Sequence, residues 1–207
     1  MNESLEQRII SKITASLFLL FFILSVMITI IPVYTIHSLG ADASVIIMMG
    51  IEFILALSIY FFSFRKLVGF NSRKFSGNTV GLAFACLFAI QLFLHFTSSR
   101  LSVPRPSIIS VLILTIIIPF YEEVFYRGCL FGFLNHISNG YVTSSIVTSI
   151  VFSLMHTQYS SPEEYVGMFL ISITLIHVRI KTNGLIYPMA LHSATNTLAL
   201  SLMKYNV

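Results

Sequence analysis

The sequence predicts an all-α fold, a polytopic bundle of about seven transmembrane helices, from three observations. The 207 residues are 56% hydrophobic and only 10% charged, whereas about a quarter of the residues in a soluble domain are charged. Mean hydropathy is +0.89. Seven apolar runs approach the roughly 20 residues that cross a bilayer. We therefore predict one integral membrane domain over residues 1–207, surrounded by a lipid bilayer.

The predicted helices follow one another along the whole chain. The fourth run is too long for one straight span, and Pro119 lacks a backbone N–H, so it should kink this helix just before Glu122 and Glu123. We expect either one bent helix or a short helix followed by another. The seven runs cover residues 13–36, 43–64, 79–97, 107–134, 141–157, 164–180 and 184–203.

The distribution of charge indicates a membrane orientation and no nucleic-acid partner. The formal net charge is +4, but the basic residues lie at the ends of apolar runs and form no patch interleaved with aromatic residues. With the N-terminus in the cytoplasm, the inner segments hold eight basic residues and the outer segments hold three, in agreement with the positive-inside rule. We predict a cytoplasmic N-terminus and, from the small size and the bias toward Ile, Phe and Ser, a bacterial plasma membrane. The inner residues are Arg8, Lys12, Arg65, Lys66, Arg73, Lys74, Arg179 and Lys181, and the outer ones are Arg100, Arg105 and Lys204.

A small set of polar side chains interrupts the apolar runs, in pairs spaced four residues apart. Residues at this spacing share one helix face, and ionisable groups inside membrane helices usually mark a pathway or a reaction centre. The pairs lie on the fourth, fifth and seventh helices, so we predict a catalytic cavity between these three. The pairs are Glu123 with Arg127, the apolar Phe152 with His156, and His192 with Asn196, and Glu122 beside the first pair is the sixth polar group.

The fourth helix carries two adjacent carboxylates and one guanidinium group. Glu123 and Arg127 are spaced for an ion pair within the helix, and pairing is close to obligatory because an unpaired buried charge is costly. Glu122 is rotated about 100° from Glu123, so Arg127 cannot neutralise both equally. Glu122 is therefore expected to exchange protons with a bound water or substrate.

These groups fit peptide hydrolysis, with or without a metal ion. A carboxylate and an imidazole can polarise one water for attack on an amide carbonyl, while another imidazole and a carboxamide donate hydrogen bonds to the developing oxyanion. Zinc is the alternative, because Glu122, His156 and His192 could bind it and leave one position open. A zinc-bound Glu122 could not act as the base, and Glu123 is already committed to Arg127. We therefore favour a mechanism without a cofactor, with zinc left open.

The three motifs together resemble a known family signature. Glu122-Glu123-x-x-x-Arg127, Phe152-x-x-x-His156 and His192-x-x-x-Asn196 are similar, in type and order, to the motifs of the CAAX protease and bacteriocin-processing family. The resemblance covers residues 107–203, which form the predicted catalytic core. Members are multi-span membrane endopeptidases, so it implies an enzyme that cleaves a membrane-bound peptide or protein. It also implies bacteriocin self-immunity or peptide maturation as the biological setting.

The resemblance also implies a role for each residue of the motifs. Glu122 would activate water as the base, and His156 would help to hold that water. His192 and Asn196 would stabilise the oxyanion. The supporting residues would be Glu123, Arg127 and Phe152.

Two functions of other classes compete with the endopeptidase. A proton-coupled transporter would use the same carboxylates and imidazoles as a relay, but the chain has no internal repeat. A binding protein without catalysis would confer immunity by occupying a receptor or the bacteriocin. Asp42 is the single aspartate, which excludes a two-aspartate protease site, and no His-Glu-x-x-His zinc motif is present. Glu52 has no motif partner and is predicted to have a helix-packing or cavity role.

Overall fold

The protein is a bundle of helices. The computed structural model describes residues 5–61, 76–97, 104–138, 140–203 and 205. Several of the basic residues that predicted the orientation lie outside the described residues, so the orientation stays a prediction. They are Arg65, Lys66, Arg73, Lys74, Arg100 and Lys204. The helices are α1 (Leu5–Ile28), α2 (Ile31–Leu39), α3 (Ala41–Ile59), α4 (Gly77–Thr97), α5 (Ile108–Ser138), α6 (Tyr141–Leu154), α7 (Pro162–Thr182) and α8 (Ile186–Leu202).

Within the described residues, five segments are long and apolar enough to cross a membrane, which identifies an integral membrane protein. Each predicted run coincides with a helix, and the first run overlaps both α1 and α2. The apolar helix α6 has only 14 residues and α8 has 17, so the crossing of the membrane by these two stays a prediction. The five candidate spans are Lys12–Leu39, Ala41–Ile59, Gly77–Thr97, Ile108–Ser138 and Pro162–Thr182.

The fourth run forms one continuous helix, α5, which contains two π-helical segments. The first covers Ile113–Ile117, and the second covers Glu123–Leu130 and so includes the predicted ion pair. Pro119 lies at the start of the short α-helical piece Ile118–Glu122, directly after the first π segment. A π turn shifts the backbone hydrogen-bond pattern by one residue, and such turns accompany kinks and functional sites. One interrupted helix is therefore found, not two separate ones.

The ends of α6 and α7 fix the loop that follows the fifth run. Ser161 caps α7, because its hydroxyl accepts from the Glu164 N–H while the Glu164 carboxylate accepts from the backbone N–H groups of Ser160 and Ser161. Pro162 occupies the first turn, where a missing N–H costs nothing. The α6 helix ends at Leu154, two residues before His156. This differs from the sequence prediction, which placed His156 inside the helix.

Among the described residues, two apolar clusters hold the helices of the bundle together. One joins α1 and α3 to α5 around Phe125, and the other joins α4, α7 and α8 around Leu94 and Leu175. The helices α4 and α7 approach very closely, because a Cβ at Gly167 would lie 2.7 Å from the Leu94 side chain. Glycine at this position therefore permits the contact that places α4 against the rest of the bundle.

Candidate active site

A cavity of about 200 Å³ lies within the bundle. Its wall contains Glu122, His156, His192 and Asn196, the four residues expected to be catalytic. The sequence analysis predicted that the cavity is lined by the fourth, fifth and seventh predicted helices, which are α5, α6 and α8. In the structure, Gln91 of α4 and Met168 and Ile171 of α7 also line it. Distant parts of the chain are thus brought to one partly polar space among apolar helices.

Glu122 and His192 meet at the edge of this cavity. The Glu122 Oε2 atom lies 3.6 Å from the His192 Nε2 atom, and the two side chains are 15% and 5% exposed. This separation is slightly longer than a hydrogen bond. A hydrogen bond across this gap requires a proton on Glu122 Oε2 or on His192 Nε2, because a carboxylate and an unprotonated ring nitrogen both accept.

Glu123 contacts two groups that the sequence placed on different helices. Its Oε1 atom lies 3.0 Å from Arg127 Nη1, as the spacing predicted, and 2.8 Å from His192 Nδ1. The side chains of Glu123 and Arg127 have no exposed surface. Because a carboxylate only accepts hydrogen bonds, the His192 proton is assigned to Nδ1, which turns Nε2 toward Glu122. Glu123 therefore orients the ring of His192 in addition to pairing with Arg127.

Phe152 is the packing centre of the site. The Arg127 guanidinium lies over its ring, with Cζ 4.3 Å from the ring centroid, which is favourable cation–π geometry. The rings of His156 and His192 lie 4.5 and 6.2 Å from the Phe152 ring, centroid to centroid. One buried aromatic side chain thus links the cation of the first motif to both histidines.

His156 is held by the end of α6 and by the loop that follows. Its Nδ1 atom donates to the Phe152 carbonyl oxygen at 2.7 Å, and its ring stacks on Tyr159 at a centroid distance of 5.9 Å. The motif spacing of four residues therefore produces a hydrogen bond from side chain to backbone. With Nδ1 engaged, Nε2 is the nitrogen available to a molecule in the cavity.

Asn196 is tied to the first π segment of α5. Its Nδ2 atom donates to the Leu114 carbonyl oxygen at 2.8 Å. A carboxamide nitrogen carries two hydrogens, so one remains for another acceptor. The π segment thereby provides the backbone acceptor that fixes the Asn196 side chain beside the cavity.

The side chains do not form an evident zinc site. Within the parts of the chain that the structure describes, no group of three or more His, Cys, Asp or Glu side chains is placed to hold a metal ion. The alternative zinc set of Glu122, His156 and His192 is therefore not assembled as three ligands. The preference for a metal-free reaction stays a prediction.

The second half of the chain matches a family of proteases. A family model described as type II CAAX prenyl endopeptidase Rce1-like matches residues 104–198. Residues 104–198 are similar to the Rce1-like endopeptidases. The resemblance expected from the three motifs is thereby confirmed for this Rce1-like region, which carries all of them.

One curated relative is similar to part of the chain. An uncharacterized 24.3 kDa protein of Escherichia coli is 30% identical over 97 residues, which are 45% of this chain and 43% of that protein. The chain thus matches less than half the length of this relative. No solved structure matches the chain significantly.

Glu52 and Gln91 are buried polar residues that lie outside the Rce1-like region. Glu52 accepts a hydrogen bond from the Ser25 hydroxyl at 3.1 Å, a contact between α1 and α3 that agrees with the expected packing role. Gln91 lines the cavity from α4 and was missed in the sequence analysis. It was overlooked because it belongs to no spaced pair, although a carboxamide in the middle of an apolar run is itself a signal.

Proposed function

We propose that the protein is an intramembrane endopeptidase that hydrolyses a peptide bond of a membrane-associated protein or peptide. The observation that carries the proposal is the approach of Glu122 to His192, 3.6 Å apart, in a cavity lined largely by apolar helices. The match of residues 104–198 to Rce1-like endopeptidases supports the reaction class.

The proposed reaction uses the carboxylate of Glu122 as a general base. Glu122 takes a proton from water while the water oxygen bonds to the carbonyl carbon, and His156 Nε2 helps to hold that water. The carbonyl oxygen becomes an oxyanion. The C–N bond then breaks as Glu122 returns the proton to the leaving nitrogen, which yields a carboxylic acid and an amine.

His192 and Asn196 are proposed to stabilise the oxyanion. A neutral His192 with its proton on Nδ1 presents a lone pair at Nε2, so donation from Nε2 requires the ring to carry both protons. The Glu123 carboxylate, 2.8 Å from Nδ1, stabilises that cationic ring. The free hydrogen of the Asn196 amide is the second donor.

The proposed location is a bacterial plasma membrane with the N-terminus in the cytoplasm. The excess of basic residues on the predicted inner segments supports this orientation. The proposed setting is bacteriocin self-immunity or peptide maturation, as the motif resemblance implies.

The test compares wild type with Glu122→Gln in proteoliposomes. One probe is a fluorogenic peptide that ends in a farnesylated cysteine and three further residues. It is used because the matching family is described as CAAX prenyl endopeptidases. The second is a peptide library in which a varied segment follows an apolar anchor of about 20 residues. Mass spectrometry identifies the cleaved bonds, and the probe cleaved fastest is called the reporter peptide.

We expect Glu122→Gln to lower kcat on the reporter peptide at least about 100-fold, because the base is lost while size is kept. The matched control is Glu163→Gln, an exposed acid in the first turn of α7, which should leave cleavage unchanged. Cleavage by Glu122→Gln at the wild-type rate would refute the mechanism. Full immunity of cells carrying this variant would instead favour a binding protein.

A further inference from the structure

Gln91 is a polar residue on the buried face of a membrane-spanning helix. The buried positions of α4 are Ala83, Leu87, Gln91 and Leu94, which recur at helical spacing. Only 4% of the Gln91 surface is exposed. The other three side chains belong to the apolar cluster that joins α4 to α7 and α8.

The carboxamide of Gln91 has no hydrogen-bond partner among the side chains and backbone groups that the structure describes. A carboxamide offers two donors and an acceptor. In an apolar interior such a group is more stable when it is hydrogen-bonded than when it has no partner. Because Gln91 lines the same cavity as Glu122 and His192, its carboxamide is available to a polar molecule that enters the cavity.

The position of Gln91 is fixed by the backbone around it. Leu94, three residues further along α4, packs so closely against Gly167 that a Cβ there would lie 2.7 Å from the Leu94 side chain and force it to shift. Because α4 is held in place by this packing, the Gln91 carboxamide keeps a fixed position relative to the cavity. A rigid support of this kind is what a ligand-binding residue requires.

We propose that Gln91 binds the backbone of the peptide substrate, at a peptide unit next to the bond that is cleaved. This inference rests on the proposed endopeptidase function. A peptide inside a membrane has N–H and C=O groups that lack water, and a carboxamide satisfies one of each. Glu122, His156, His192 and Asn196 act on the scissile bond, so Gln91 serves a neighbouring unit. It is a substrate-binding residue that recognises main chain and takes no part in proton transfer.

The first measurement separates binding from catalysis. Gln91→Met keeps a similar volume and removes all hydrogen bonds, and Gln91→Glu keeps the acceptor and loses the donors. With the reporter peptide, we expect Gln91→Met to raise KM about tenfold, equivalent to about 1.4 kcal/mol, with kcat within about twofold of wild type. The matched control is Phe88→Leu, on the exposed face of α4, which should alter neither constant.

The second measurement locates the contact on the substrate. Reporter peptides are made in which one backbone amide at a time is replaced by an ester, which removes a single N–H. At the unit that Gln91 binds, the ester raises KM for wild type but not for Gln91→Met. A merely structural glutamine would give additive effects at every position. The inference would be overturned if the ester and Gln91→Met had additive effects on KM at every position, or if folded Gln91→Met had an unchanged KM. Neither result would contradict the proposed endopeptidase function.

The two proposals fail in different ways. If wild type cleaves neither probe, the endopeptidase is refuted, and equilibrium binding of the farnesylated peptide to proteoliposomes becomes the readout. Weaker binding by Gln91→Met than by Phe88→Leu would then support peptide recognition alone. Equal binding by the two variants would refute the role of Gln91 as well. If Gln91→Met fails to fold, the same comparisons are made with Gln91→Leu, which also removes every hydrogen bond, because Gln91→Glu keeps the acceptor for a peptide N–H.

Discussion

His192 Nδ1 lies 2.8 Å from Glu123 Oε1, across 69 residues of sequence. The same oxygen lies 3.0 Å from Arg127 Nη1. A single buried carboxylate therefore holds a cation of its own helix and the imidazole of another. This arrangement makes Glu123 responsible for two measurable properties, the stability of the buried pair and the orientation of the ring that faces Glu122.

The buried pair predicts a stability effect that a second substitution reverses. Glu123→Gln leaves the Arg127 charge unpaired in the interior and should lower the free energy of unfolding by about 3–5 kcal/mol. Adding Arg127→Met should recover most of this loss, because no uncompensated charge remains. Activity should stay low in the double variant, since a neutral carboxamide at position 123 cannot stabilise the His192 cation. Thermal unfolding in detergent and cleavage of the reporter peptide measure the two effects. Independent, additive losses of stability would contradict the coupling.

The Asn196 contact predicts a catalytic effect with a modest structural cost. Asn196→Ala removes the hydrogen bond to the Leu114 carbonyl and the second amide hydrogen. We expect kcat to fall about 100- to 1,000-fold, the usual cost of losing one oxyanion donor. The control is Thr197→Ala, an exposed neighbour whose hydroxyl bonds only to its own helix. A variant that unfolds at the wild-type temperature and cleaves at the wild-type rate would remove Asn196 from the mechanism.

The favoured mechanism predicts that activity does not depend on zinc. Purified protein dialysed against a strong chelator should retain its rate on the reporter peptide, and elemental analysis should find no stoichiometric zinc. The physical reason is that Glu122 cannot serve both as a metal ligand and as the free base. Loss of activity on chelation, with recovery on adding one equivalent of zinc, would require the zinc set of Glu122, His156 and His192.

The sequence predicted the positions of the helices and the grouping of the motifs well. Apolar length is a local property, so the run 164–180 coincided with α7, which covers Pro162–Thr182. The pair of Glu123 and Arg127 followed from spacing within one helix. Contacts between helices, such as Glu123 with His192, depend on how distant segments dock and carry no signature in spacing.

Other features were missed because they result from tertiary structure. The two π segments of α5 cannot be read from composition, since the surrounding helices decide where a wider turn is tolerated. The end of α6 before His156 was missed because the polar residues that follow form a loop, which ends where Ser161 caps α7. The walls supplied by α4 and α7 were missed because only paired polar residues were used to place the cavity.

The neutral pairing inside α5 also bears on how the chain enters the bilayer. During synthesis, Glu123 and Arg127 emerge almost together, and the pair can form within a single helix before α8 exists. A lone Arg or Asp at a bilayer centre costs about 2.5–3.5 kcal/mol on insertion scales, so this early neutralisation eases the transfer of α5 from the translocon. His192 arrives 69 residues after Glu123. The carboxylate of Glu122 therefore lacks its contact with His192 until α8 is made, and the site is assembled only when that helix has docked.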